Sequence, residues 1–413
     1  MRERSERMGM MNSIQRQFIN LLSSAIKKQS VEIVNLRGND WNQLIEEAEA
    51  HKVSGLIYTA VKRNINHYDI EANRLAQWKK DVIFESFKQS EQLKKFSQLL
   101  ALFNESMIPV IVLKGVVLKN LYPAPDLRTM NDVDILVVED DLKKIEKVLL
   151  NQGYHKYEDD GEKHEIYIKS GFPMIEVHWK LNDSRWFNGS VEYEKDIWKR
   201  VREVEIMGVK TLTLGYNDFL LHLMIHMATH TAARGFGVRF LTDIVLMIEA
   251  ESHCIDWAQF KKDIRQCELD KFTGIILKCC EHLFKMQIPE ELIELTVVDL
   301  KYLDTFETEI LNCGVYGTRE RENTILREMA YDKEKSSLIK RFIQVIFPPI
   351  DSMSERYDYA KKRRYLTLVA WIHHFFAGVF HSDYKLGEKV RFFFFGMNSM
   401  KQRSDLIRWL DLE

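Results

Sequence analysis

Apolar residues recur at three- and four-residue intervals through the first quarter of the chain. Phe18, Leu21, Leu22 and Ile26 form one such stripe, the spacing at which side chains share a helix face. A second helix is expected from Trp41, after Asn39-Asp40, and a long amphipathic one from Glu71 to Asn104. The pattern then shifts toward the alternation of strands. Ile108-Pro109-Val110-Ile111-Val112-Leu113 reads as a short buried strand, and Asp132-Val133-Asp134-Ile135 alternates acids with apolar residues before the buried run Leu136-Val137-Val138. His164–Lys169 and Met174–Trp179 flank the turn Ser170-Gly171-Phe172-Pro173 and read as a hairpin. Between them, Glu139-Asp140-Asp141 opens a helix that ends near Gly153, its acids at the end the macrodipole prefers. Val204–Leu212 reads as a late hairpin; the helical pattern returns after Asn217-Asp218, with a break at Phe347-Pro348-Pro349.

An α+β protein is therefore expected, with a small mixed sheet flanked by N- and C-terminal helical regions. The changes of period divide the 413 residues into a helical region, 1–104, an α/β core, 105–214, and a helical domain, 215–413. A chain of this length exceeds one ordinary core. Seven prolines and 18 glycines suit long helices and short loops.

The chemistry gathers in the middle region. Residues i and i+2 of a strand share a face, so Asp132 and Asp134 project together ahead of a buried run. Like charges that close are costly unless a cation or proton lies between them. Glu176, in Met174-Ile175-Glu176-Val177-His178-Trp179, would complete a three-carboxylate cage on a neighbouring strand. Such a cage suits Mg²⁺, which takes oxygen ligands and keeps substrate phosphates and waters as the others; Mn²⁺ accepts the same donors. Two ions about 3.5–4 Å apart activate an attacking oxygen and stabilise a leaving pyrophosphate. Upstream, the strand at 108–113 ends in Lys114-Gly115, before an apolar helical segment from Val116 to Tyr122. A strand–glycine–helix junction presents N–H groups to phosphate, and Lys114 and Arg128 flank it as cations suited to a triphosphate. Singly, Asp-x-Asp and Lys-Gly are common; the ordered set is more specific.

That ordered set resembles the nucleotidyltransferases of the DNA polymerase beta superfamily. More narrowly, it is similar to a bacterial nucleotidyltransferase-like family whose pattern is Lys-Gly, Tyr-Pro, Arg, Asp-x-Asp, then a carboxylate two before His-Trp. Here these are Lys114-Gly115, Tyr122-Pro123, Arg128, Asp132-x-Asp134 and Glu176-x-His178-Trp179. The likeness covers residues 108–180 and continues more loosely around His226, His230, Arg239 and Asp243. It implies a nucleotidyltransferase-type sheet and transfer of a nucleoside monophosphate from an NTP to an acceptor, with two Mg²⁺ ions. Asp132, Asp134 and Glu176 are then the catalytic metal ligands, with Lys114, Gly115, Arg128, His178, His226, His230 and Arg239 at the nucleotide. The chain departs from the wider superfamily in three ways. Val116 stands where a serine usually follows the glycine, the gap to Asp132 is longer and holds Tyr122-Pro123-Ala124-Pro125, and the third acid is Glu. Lys114 or Arg128 is expected to replace the serine's contact with the triphosphate.

Other features have plainer alternatives. His222, His226 and His230 share a helical stripe; two neighbours could share zinc, but eight helical residues span about 12 Å, too far for all three. Polar core histidines, or a His226 or His230 facing the nucleotide, compete with that. Arg234 and Arg239 are nearby cations for phosphate or acceptor, unless Arg239 and Asp243 form an i,i+4 pair. The bland alternative to metal binding is that the strand acids are solvated, or form a structural ion pair with Arg128. Lys361-Lys362-Arg363-Arg364 is a solvated helix face or a contact for RNA or a phosphorylated substrate. Phe392–Phe395 reads as buried, or as a membrane-surface or partner contact, and the Trp371–Phe376 stretch as core.

Composition narrows the partners. With 59 basic and 61 acidic residues and a net charge of −2, nothing draws the whole chain to nucleic acid or an anionic membrane. A content of 46% hydrophobic and 29% charged residues is ordinary for a soluble globular protein. No apolar run approaches the ~20 residues that span a bilayer, so no membrane insertion is expected. Met1–Arg7 carries both signs of charge with no long apolar region behind it, and Met8, Met10 and Met11 are alternative starts; no targeting segment is expected. Cys254, Cys267, Cys279, Cys280 and Cys313 are odd in number and lack zinc spacing, which fits reduced thiols in a cytoplasmic protein. No Ser-His-Asp arrangement, Walker loop or dinucleotide fingerprint is present. Two further classes remain open: a nucleotide-sensing or partner-binding protein on a degenerate nucleotidyltransferase scaffold, and a transferase of another group from a nucleotide-linked donor to a peptide or metabolite. No pattern in the helical regions identifies the acceptor, whether small molecule, peptide or RNA.

Overall fold

The structure, a computed structural model, describes residues 11–29, 36–157, 164–181, 193–315, 347–353, 355–380 and 401–412. The chain divides into two compact units, Met1–Thr229 with Phe236–Val315, and His230–Gly235 with Tyr316–Glu413.

In the first unit, helices α1 (Ser13–Ile26), α2 (Gly38–Ala50), α3 (Ser54–Val61) and α4 (Ala72–Glu105) precede the sheet. α1 starts at a reciprocal cap: Gln15 N–H donates to the Asn12 side chain at 2.8 Å, and Asn12 N–H donates to the Gln15 side chain at 3.2 Å. Two N–H groups that a helix start leaves open are thereby satisfied. The stripe of Phe18, Leu21, Leu22 and Ile26 is buried, as its spacing requires. α4 buries Leu93, Phe96, Leu99, Leu100 and Phe103 in its C-terminal half and delivers the chain to the sheet.

The sheet comprises β1 (Ile111–Val112), β2 (Asp132–Leu136), β3 (His155–Tyr157), β4 (His164–Ile168), β5 (Met174–His178), β6 (Val201–Ile206) and β7 (Val209–Leu214). Its order is β3-β4-β5-β2-β1-β7-β6. β2 sits at the centre, parallel to β5 and antiparallel to β1, while β1 runs parallel to β7. The α+β expectation holds. β3 was not anticipated: its three residues are all exposed, so no apolar alternation announces it. The run at 108–113 contributes only Ile111-Val112 to the ladder. The late hairpin is longer than expected and turns at Met207-Gly208, both at positive φ (51° and 83°), as a tight two-residue connection demands.

Two short helices accompany the central strands: α5 (Lys114–Leu118), continued by a 3₁₀ turn over Lys119–Leu121, and α6 (Leu142–Asn151) after a 3₁₀ turn at Glu139–Asp141. Then follow α7 (Tyr216–Ala233), α8 (Val238–Glu251), α9 (Trp257–Gln266), α10 (Asp270–Phe284) and α11 (Leu303–Cys313). All five cysteines are free thiols, and all but Cys254 are buried. Among the described residues, no helix is long and apolar enough to cross a membrane.

The second unit has a small core of its own: Ile350, Met353, Tyr357, Ala360 and Ala370, with Tyr359, Leu366 and Trp371 packed against it. Trp371 Nε1 donates to Pro348 O at 2.9 Å. In the basic block, Lys361 pairs with Asp358 at 3.2 Å and Arg364 with Asp351 at 3.6 Å. The run Phe392–Phe395, the side chains of Phe375 and Phe376, and Met1–Arg7 lie outside the described residues.

Candidate active site

The central strands make the site by register. Asp134 is the direct partner of Glu176 on parallel β5, Asp132 pairs with Met174, and Leu136 with His178. Side chains alternate along each strand and partners share a face, so Asp132, Asp134, Glu176 and His178 all stand on one side of the sheet. The other side takes Val133, Ile135, Ile175 and Val177, each at most 1% exposed. Those apolar residues hold the two strands in this register, because a slip by one would bury the acids in the core.

Lys114 enters from the other neighbour. Leu113 N–H donates to Asp134 O at 3.0 Å, which fixes the chain beside β2 one residue before the lysine. Lys114 Nζ then reaches Asp134 Oδ1 at 3.1 Å. The same oxygen lies 3.2 Å from His178 Nε2, which is 3.6 Å from Glu176 Oε2. Lys114 holds a φ of 32°, a left-handed conformation that costs a non-glycine residue about 1–2 kcal/mol. Backbone outliers of this kind cluster where a side chain has a task.

The electrostatics of the group are unbalanced. Burial raises the Asp134 carboxyl, but Lys114 and then His178 and His226 outweigh it and hold the group well below the usual carboxylate range. Asp132 is pushed up, first by burial and then by the charges of Asp134 and Glu176. Burial works against charge on Lys114, yet Asp134, Asp132 and Glu176 together raise it. His178 is likewise raised against burial by its hydrogen bonds to Asp134 and Glu176. Ligand atoms of Asp134, Glu176 and His178 all lie within 4.8 Å of one another; Asp132 is not in that tight group and acts on it through its charge. Carboxylate oxygens suit a hard divalent cation, and His178 is placed to orient Asp134 as an outer-shell partner does.

A second buried cluster packs against Gly115. Arg128 donates from Nε and NH2 to the two oxygens of Asp243 at 2.8 and 2.7 Å, and Tyr122 OH donates to the same carboxylate at 2.7 Å. Burial, then Asp243, lifts the Tyr122 phenol well above its ordinary value. A Cβ on Gly115 would lie 2.9 Å from Arg128 NH1, so the glycine is the space into which the guanidinium fits. Arg239 NH1 donates to Thr129 O at 2.8 Å and Thr129 Oγ1 at 3.1 Å. Thus the Tyr-Pro and Arg positions are tied to α8, and Asp134 is paired with Lys114 while Arg128 is paired with Asp243.

Sequence reasoning missed two members of this second cluster. Lys119 is fully buried. Its ammonium donates to Gln89 Oε1 at 2.8 Å, to Pro125 O at 3.2 Å and to Arg128 O. Gln89 in turn accepts from Met130 N at 3.0 Å and donates to Met130 O at 2.9 Å. Burial, followed by the charge of Arg128, pushes the Lys119 amine down to about 7. The available signal was a lysine directly after the apolar run Val116-Val117-Leu118.

The remaining candidates separate. His226, on α7, is close enough for its charge to act on Asp134, and its ring stacks on Phe240 with centroids 5.4 Å apart. His222 is buried, its ring 6.4 Å from that of His226. His230 falls in the segment that groups with the second unit. Among the described residues, the histidine stripe forms no three-ligand cluster.

A family profile described as uncharacterised nucleotidyltransferase matches residues 37–285. The chain belongs to this nucleotidyltransferase family. The match runs from the start of α2 to the end of α10, so it takes in helices on both sides of the sheet as well as the acidic motif. No curated protein matches the sequence. Among solved structures, this nucleotidyltransferase is similar to the antibiotic-resistance factor ANT(2'')-Ia, at 11% identity over 47% of this chain and 98% of that one, with a TM-score of 0.33. It is also similar to an antigenic nucleotidyltransferase-like protein from Paracoccidioides brasiliensis, at 14% identity over 50% and 97%, with a TM-score of 0.32. Both likenesses are too distant to inform the site.

Proposed function

We propose that this nucleotidyltransferase moves a nucleoside monophosphate from an NTP to an acceptor nucleophile, with Asp132, Asp134 and Glu176 holding divalent cations, Mg²⁺ above all. The observation that carries this is the register of Asp134 with Glu176 on parallel strands. It gathers three carboxylates on one face, where burial and then their mutual repulsion raise Asp132; a divalent ion relieves both.

When bound, the metal polarises the α-phosphate and favours the ionised acceptor. Asp132, Asp134 and Glu176 would supply its oxygen ligands, and His178 keeps Asp134 oriented through Nε2. Glu176 takes the proton as the acceptor oxygen bonds to the α-phosphorus. The bond from that phosphorus to the bridging oxygen breaks, and pyrophosphate leaves with its electron pair. Lys114 offers its ammonium to the triphosphate charge, the part a serine takes in the wider superfamily. His226 lines the nucleotide side, and Arg128 and Arg239 act by holding the loop that leads into Asp132. The helical regions at 1–104 and 215–413 choose the acceptor.

Calorimetry with each NTP, with and without Mg²⁺, together with pyrophosphate release, tests the proposal on the wild type and on Asp132→Asn and Asp134→Asn. Mg²⁺-dependent binding that both variants lose is the expected result. Undiminished turnover in Asp132→Asn would sink it. Nucleotide binding with no Mg²⁺-dependent pyrophosphate release would favour a sensing scaffold instead.

A further inference from the structure

The carboxylate oxygen best placed to take a metal is already occupied. Asp134 Oδ1 receives Lys114 Nζ at 3.1 Å and faces His178 Nε2 at 3.2 Å. The lysine side chain is 17% exposed and that of Asp134 7%, so water screens the pair weakly. A divalent ion bound between Asp134 and Glu176 would therefore meet a fixed positive charge at close range. A free metal ion brings nothing to replace the lysine's lost partner, whereas a triphosphate brings several negative oxygens.

We propose that Lys114 is a resident counter-ion that keeps free divalent cations out of the carboxylate cluster and admits a metal only together with a triphosphate. This rests on the metal-binding function proposed above. In the nucleotide-free protein, Lys114 partly neutralises Asp134 and so weakens the site for a lone cation. When the triphosphate arrives, the ammonium exchanges Asp134 for phosphate oxygens, and Asp134 is freed for the metal. The two ligands then strengthen each other's binding, and reciprocity makes the factor equal in both directions. The lysine's position explains why it can exchange partners. It is the first residue of α5 and follows the Leu113–Asp134 backbone bond, so its anchor stays fixed while four side-chain torsions carry the ammonium away.

The test is equilibrium binding of Mn²⁺ to the full chain with and without each nucleoside triphosphate, read by equilibrium dialysis as the Mn²⁺ that the protein retains. Wild type should bind Mn²⁺ weakly alone and roughly ten- to a hundredfold more tightly with its triphosphate, the usual range of coupling between sites. Lys114→Met should bind Mn²⁺ alone about tenfold more tightly than wild type, with most of the coupling lost. Lys114→Arg keeps the charge and should keep the weak binding. A Lys114→Met protein that binds lone Mn²⁺ no better than wild type overturns the counter-ion role while leaving the metal site intact. A wild type that binds no Mn²⁺ with or without any triphosphate, like Asp134→Asn, overturns the metal site itself. Should Lys114→Met not fold, wild type with inorganic tripolyphosphate decides. Extra protein-bound Mn²⁺ by equilibrium dialysis supports the role, and none overturns it.

Discussion

Lys114 and Gly115 each meet a cluster of charged groups, Lys114 that of Asp134 and Gly115 that of Arg128, and the two are balanced differently. Around Asp243, one carboxylate meets one bidentate guanidinium and a phenol, so opposite charges cancel. Around Asp134, three carboxylates face one ammonium and one imidazole. The first is a closed ion pair, whose removal would leave an uncompensated charge. The second carries more negative charge than its own residues neutralise, and such a cluster persists when a ligand supplies the difference. Both lie within the span matched by the family profile, residues 37–285. The contrast separates residues closed on one another, namely Gly115, Tyr122, Arg128 and Asp243, from the residues we propose for the metal and nucleotide.

The largest effect that would separate the two is on turnover. Asp134→Asn should lower NTP turnover about a thousandfold, the several kcal/mol a metal contributes to such a step, and should cost less stability than a change at Arg128. A variant with normal turnover would erase the distinction. Next in size, Arg128→Met should cost about 3–5 kcal/mol in urea unfolding by stranding Asp243. Arg128→Met with Asp243→Leu should recover part of it. A folded, fully stable Arg128→Met that no longer binds NTP would move Arg128 into the reacting cluster.

Lys119→Met should cost about 1–3 kcal/mol, since it leaves buried acceptors without their donor. It should also change the pH dependence. Folded, Lys119 gives up its proton near 7, whereas the unfolded chain keeps it to about 10.5. Between those values the unfolded state binds the extra proton, so wild-type stability should rise with pH across that window. Denaturant midpoints from pH 6 to 10 should rise in wild type and flatten in the variant. An equal slope in both would place the buried titration elsewhere. The smallest effect belongs to Gly115→Ala. Its Cβ would press on Arg128 NH1, which Asp243 prevents from sliding aside, and about 1 kcal/mol should be lost. No loss in thermal unfolding would mean that the guanidinium is looser than its bidentate geometry indicates.

Alternation alone determined that Asp132 and Asp134 share a face, that a hairpin follows with Glu176 and His178 on it, and that helices precede and follow an α+β core. These are local properties, because the period of apolar residues reports which side of an element is buried. The sheet order that places β5 against β2 is not local, and neither is the strand β3, whose exposed residues carry no period. Partner choice was also beyond the sequence. Arg128 stands only a few residues before the strand acids Asp132 and Asp134, yet its carboxylate lies 115 residues away on α8. Lys119 finds Gln89 on α4, 30 residues back. A buried charge takes whichever opposite group the packing brings within about 3 Å, and that depends on which helices meet. Only the tertiary structure therefore decided which cation meets Asp243 and which meets Asp134.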